Sequence, residues 1–257
     1  MAVKSALRTL SRYSGVLVVL VLWELLARIN LLPDYLLEPS TILSRLYAML
    51  IAGDLTEHIL SSLYRSYMGF VIGSVLGTFL GLLAGTSKIV EGFFDPLVSL
   101  TYPVPKIAIL PVLMVWFGIG DSSKIVIILL ATFYPTFING YYGARSVNYL
   151  YVWAARNMGA TQLRVFFKVV VPAAAPQVFA GLRVALALSF VLLFSSEMVG
   201  SRSGLGFLII FAESSMRFDI MFAAIVAIAV LGFISDRLLV VIRQRVLAWE
   251  SLESKSV

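Results

Sequence analysis

The chain contains no cysteine among its 257 residues and a single histidine, His58. Disulfides, thiolate zinc sites and iron–sulfur clusters are thereby excluded, and His58 has no second imidazole with which to share a metal, so no metal site is expected. Charge is scarce as well: 13% of residues are charged and 60% hydrophobic, with mean hydropathy +0.95. A soluble domain carries about 25% charged residues. This chain lacks the polar surface to face water all round, and lipid must be its main solvent. The net charge of +6 needs no nucleic acid to explain it, because the cytoplasmic loops of membrane proteins collect Lys and Arg. The N-terminus has basic residues and an apolar run but no small-residue cleavage site, so it reads as a retained first span and not as a signal peptide. Also missing is G-x-x-x-x-G-K-[ST], so ATP phosphates cannot be cradled here in the P-loop manner.

What is present is a series of apolar runs. A helix needs about 20 apolar residues to cross the hydrocarbon. Gly15 to Leu32, Ser66 to Ser87, Ile125 to Ala144, Val178 to Val199 and Ile220 to Ile242 qualify. Within the first, Glu24 and Arg28 are four apart and suit a helical ion pair. Phe93 to Ile119 is harder, because Pro96, Pro103, Pro105, Lys106 and Pro111 interrupt it. Charge decides whether it crosses. If it does, fourteen of the 20 Lys and Arg lie inside and five outside, with Arg28 at the interface; otherwise the asymmetry collapses. The expected fold is therefore an all-α polytopic membrane protein with six transmembrane helices and both termini cytoplasmic. Residues 1–60 would supply the first span and an external amphipathic segment carrying Leu43, Leu46, Leu50 and Ile51. Residues 61–249 would form the membrane core and 250–257 a polar tail.

Within this frame the backbone is unusual in three places. Gly69, Gly73, Gly77, Gly81 and Gly85 recur every fourth residue, a spacing that lets another helix approach closely; the contact is either fixed packing inside the subunit or a sliding surface. The prolines of YPVPKIAILPVLMVWFGIG break the helical ladder, which at membrane depth is tolerated where protein or a water-filled cavity satisfies the freed carbonyls. Pro103, Pro105, Lys106, Pro111, Trp116 and Phe117 are thus candidate pathway residues, or parts of a kinked packing helix. Glu197 is a further candidate as an acid near the outer end of the fifth span, or else it pairs with Arg202 or with a neighbouring segment.

Between the fourth and fifth spans, residues 150–172 form a basic amphipathic loop. Trp153, Met158, Leu163, Phe166 and Phe167 alternate with Arg156, Arg164 and Lys168. By periodicity alone it suits either the anionic headgroup layer or a cytoplasmic partner. Gly159 would divide it into two short helices, Thr161 would cap the second, and Pro172 would stop the helix and stiffen the join to the next span.

The spacing Ala154-Ala155-x3-Gly159-x9-Val169-x-Val171-Pro172 resembles the EAA loop of binding-protein-dependent ABC importer permeases. SLYRSYMGF at Ser62 to Phe70, PVPKIAILPVLMVWFGIGDSSKI at Pro103 to Ile125, SEMVGSRSGLGFLI at Ser196 to Ile209 and FAAIVAIAVLGFISDRLL at Phe222 to Leu239 resemble the sulfonate, taurine and nitrate branch. Trp153 stands where that family often has an acid. The resemblance implies a type I importer fold in a bacterial inner membrane, with a permease homodimer or a pair with a similar permease. It also implies two cytoplasmic ATPase subunits holding ATP and Mg, and an external binding protein. Trp153, Ala154, Ala155, Arg156, Gly159, Ala160, Leu163, Phe166 and Pro172 would then grip the ATPase. The substrate would be a small anion, with sulfonate or taurine first and nitrate, bicarbonate or an aromatic carboxylate behind. An ion- or proton-coupled secondary transporter is the alternative; it would need acidic or histidine residues at mid-membrane and an internal repeat. A non-transporting membrane scaffold is a third reading.

Overall fold

The computed structural model describes residues 2–249, with side chains from Ser14 onward; the expected tail at 250–257 and the side chains of Lys4, Arg8 and Arg12 lie outside the described residues. Among the described residues all regular structure is helical. In order these are α1 (Ala2–Arg28), α2 (Pro39–Ala52), α3 (Thr56–Thr86), α4 (Lys88–Thr101), α5 (Leu110–Phe117), α6 (Asp121–Arg145), α7 (Tyr149–Asn157), α8 (Gln162–Val165), α9 (Val171–Met198), α10 (Leu205–Ser214) and α11 (Phe218–Val246). A 3₁₀ turn over Lys106–Ile109 precedes α5, and a π turn over Phe166–Val170 joins α8 to α9.

The breaks follow local chemistry. α1 ends at Arg28, short of Leu32, because Asn30 takes a left-handed φ of 54° and Pro33 follows. Glu24 pairs with Arg28 at 2.7 Å and also accepts from Ser40, which fastens α1 to the start of α2. Pro39 occupies the first turn of α2, where no amide hydrogen is needed, and Gly53 closes it at φ 83°. Pro103 and Pro105 end α4. The chain there turns by 88° before α5. Pro96, Pro111 and Pro135 are absorbed within helices or their first turns, so the several breaks expected across Phe93 to Ile119 reduce to this one.

Among the described residues four helices are long and apolar enough to cross a bilayer: α3, the continuous Gln162–Met198, α6 and α11; the bent α4–α5 pair makes a fifth if it is counted as one span. α3, α6 and α9 form the centre, with α3 and α6 the most extensive pair. The five glycines of α3 explain this closeness. All five turn to α6, where an added Cβ would strike Ile128, Thr132, Thr136, the Phe137 carbonyl or Ala144. Close packing on α6 of the same subunit thus accounts for their spacing. α10 and α2 pack on α11 through Met49, Leu55, Leu205, Leu208 and Ala223.

Candidate functional site

The loop expected to couple is a rigid construction. Asn148 caps α7 by accepting from the Leu150 amide at 2.9 Å. Its far end is a Schellman motif: Ala160 donates to the Ala155 carbonyl at 3.0 Å and Gly159 to that of Arg156 at 2.9 Å, with Gly159 at φ 80°. Ala155 and Ala160, the pair that such a motif brings together, both pack on a cluster containing Leu82, Val165 and Phe166. The Ala–Ala–x3–Gly spacing therefore encodes a helix stop. Thr161 then caps α8 through the Arg164 amide. Arg156, Ala154 and Gly159 lie exposed, as do Trp153 (61%), Leu163 (72%) and Phe167 (58%), whereas Phe166 is buried and ties the loop to the bundle. Trp153 stacks edge-on with Tyr149. These groups border a 490 Å³ groove against the ends of α3 and α6.

Pro172 does not stop the helix, contrary to the expectation from sequence. It sits in the first turn of α9, and the π turn before it lets Val171 donate to the Phe166 carbonyl. The widened turn accommodates the ring without ending the helix. Loop and span are consequently one helix from Gln162 to Met198.

At the 88° bend, Lys106 donates its ammonium to the carbonyls of Thr101, Tyr102 and Val104 at 2.8, 2.9 and 2.9 Å, and lies 4.2 Å from the centre of the Tyr134 ring. All three N–H groups are engaged. Lys106 thus satisfies the carbonyls that Pro103 and Pro105 free at the end of α4. Pro103, Pro105, Pro111, Trp116 and Phe117 all lie on the exposed surface of the same bent segment.

Glu197 is elsewhere, and sealed. Its side chain is 0% exposed and accepts from Ser62, from Arg65 at 2.8 Å and from the Gly206 amide at 2.9 Å. Arg202 is exposed and is not its partner; Arg65 is. The same guanidinium reaches Asp121 at 2.7 Å and Ser203 at 2.8 and 3.0 Å. Gly204, at φ 109°, is required here because a Cβ would collide with the Glu197 carboxylate. Buried Lys124 closes the neighbourhood by donating to the Ile119 carbonyl at 2.6 Å. Glu197 therefore joins α3, α6, α9 and the start of α10, opens into no cleft, and shares no partner with Lys106.

The charge count puts Arg65 and Lys124 among the five basic residues of the outer side and so misses this node. The signal available was an arginine and a G-L-G turn flanking apolar spans. The count also misses that Arg183, placed with the inside charges, pairs across α9 and α11 with Asp236 at 2.7 and 3.1 Å.

The family described as binding-protein-dependent transport system inner membrane component matches residues 73–248. A Bacillus subtilis (strain 168) protein named for aliphatic sulfonates transport, permease protein SsuC, is 32% identical over 235 residues, covering 91% of this chain and 85% of its own. The taurine transport system permease protein TauC of Escherichia coli (strain K12) is 32% identical over 240 residues, 90% and 86% of the two chains. In fold, a chain of the MetNI methionine ABC transporter superposes with TM-score 0.62 at 18% identity, covering 75% of this chain and 95% of that one. The chain thus belongs to the binding-protein-dependent transport system inner membrane component family: a multi-pass inner-membrane permease subunit of an ABC importer, without catalytic activity of its own.

Proposed function

We propose that this permease translocates a small organic sulfonate, with a taurine-like anion first and nitrate, bicarbonate or an aromatic carboxylate behind it. An external binding protein delivers the anion, and two copies of the chain, or this chain and a similar permease, form the path. Six spans with both termini cytoplasmic are the topology in which the basic loop after α6 faces the ATPases. ATP and Mg belong to those ATPase subunits. The observation that carries this reading is the α7–α8 loop, with its exposed Trp153, Leu163 and Phe167 and its unbroken helical connection to α9. Exposed apolar groups on a stiff support suit a protein partner, and a push on them is delivered to a membrane span. Nucleotide that binds the closed ATPase pair better than the open one supplies the bias between inward- and outward-facing states. The substrate class rests on the relatives named for sulfonates and taurine.

Deletion of residues 159–168 is the first test. The expected result is that the ATPase no longer co-purifies while the permease still inserts in the membrane; normal recovery of the ATPase contradicts the reading. For the substrate, proteoliposomes holding permease and ATPase, with the binding protein added outside, should accumulate taurine only when ATP is enclosed on the ATPase side.

A further inference from the structure

We infer that Arg183, which lines the cleft between α9 and α11 and is held from beside it by Asp236, is the anion-contacting residue of the translocation path; this rests on the transport reading above. Depth is the first ground. Arg183 is fifteen residues from Met198 along one continuous helix and Asp236 eighteen from Phe218, which is about 22 and about 27 Å from the outer helix ends at 1.5 Å per residue. A hydrocarbon core of about 30 Å encloses both. Exposure is the second ground. The Arg183 side chain is 60% accessible and that of Asp236 29% in the single subunit. Charged side chains at this depth are expensive against lipid and face protein or a water-filled cavity. The α9–α11 cleft is therefore turned away from the acyl chains.

The cleft itself has the chemistry of an alkyl anion's host. It measures 1090 Å³, and its walls include Ala180, Ala187, Leu188 and Leu239, with Arg243 and Gln244 toward the cytoplasmic end. Asp236 engages Nε and Nη2 of Arg183. The guanidinium has five N–H donors in a planar fork that matches the oxygens of a sulfonate or carboxylate. The carboxylate has a second consequence. An arriving anion must compete with Asp236, which keeps its hold weak, and a conducting site needs binding strong enough to admit the ion and weak enough to release it. Arg237, the next residue, lies over the Phe233 ring and does not line the cleft.

Because the chain has no cysteine, Ala187→Cys provides the only thiol of the permease. The assay uses the permease–ATPase complex in proteoliposomes, with and without nucleotide, with reagent applied to either face. The probes are anionic 2-sulfonatoethyl methanethiosulfonate and its cationic trimethylammonium analogue. The anionic reagent should modify A187C about tenfold faster than it modifies A187C/R183Q, the size of effect a focused charge exerts on a local ion. Asp236→Asn should raise the anionic rate, the opposite sign to R183Q; a purely structural role for the pair would move both variants the same way. No modification by either reagent in any state, or a charge preference unaltered by R183Q and D236N, overturns the inference. Taurine uptake by the wild-type complex is scored separately: if it is absent, the substrate assignment falls, while the reagent ratio still decides the role of Arg183.

Discussion

Glu197 and Arg65 form the pair whose removal should be felt most, and a double-mutant cycle measures how much. The Glu197 side chain has no exposure and Arg65 little, 0% and 6%. Replacing Glu197 with Ala strands a buried guanidinium whose remaining carboxylate partner, Asp121, is half exposed. It also removes the acceptor of the Gly206 amide and of Ser62. Breaking a buried pair by deleting one partner costs about 3–5 kcal/mol. Arg65→Ala should cost a similar amount, because Glu197 is then left buried with only neutral donors. The double variant loses both charges and leaves neither unpaired, so its loss should fall short of the sum of the two single losses by roughly 1–3 kcal/mol. Equilibrium unfolding of the purified permease in mixed micelles, followed by the fluorescence of its four tryptophans, reads all four corners of the cycle. Additivity of the two losses to within about 0.5 kcal/mol refutes the coupling. So would an E197A variant as stable as wild type.

Gly77→Val places methyl groups against Thr136 and the Phe133 carbonyl and should destabilise by about 1–3 kcal/mol in the same assay; Gly92→Ala, with open space around it, should be neutral or slightly stabilising. Gly159→Ala forces an L-residue to φ 80° at about 1–2 kcal/mol, and ATPase co-purification should fall together with the unfolding midpoint. Trp153→Ala should weaken ATPase capture by about 2 kcal/mol or more, roughly thirtyfold in Kd, measured by titrating ATPase onto permease in nanodiscs; an unaltered Kd removes Trp153 from the docking face.

Features with a period were legible in the sequence, and features that depend on distant pairing were not. Glycines at 69, 73, 77, 81 and 85 repeat near the helical turn, so a close helical contact could be anticipated, although not that α6 of the same chain supplies it. Ala155, Gly159 and Ala160 lie within one turn of each other, and their hydrogen bonds are local. The side-chain partners of Glu197 lie 132 and 135 positions away and Asp236 lies 53 from Arg183. Counting charges by side of the membrane treats each as a loop residue and cannot find such pairs. Prolines were ambiguous for another reason. The same residue ends a helix at 103 and begins one at 172, and the difference is whether the preceding turn can widen to five-residue hydrogen bonding, as Phe166–Val170 does.

That widened turn has a mechanical consequence. Had Pro172 ended the helix, a displacement of α7 and α8 would have been absorbed by a flexible joint beneath the membrane. Instead the helix runs unbroken for 37 residues, about 55 Å, from the exposed loop at one surface to the Glu197 node at the other. Along its course α9 packs on α6, and α6 is locked to α3 by the glycine face. At the far end Glu197 ties it to α3 and to the start of α10, and through Arg65 to α6. Packed helices of this kind do not deform continuously. A force on Trp153 or Leu163 is therefore carried as motion of the three-helix unit, and the Glu197 end of the subunit moves with the loop end.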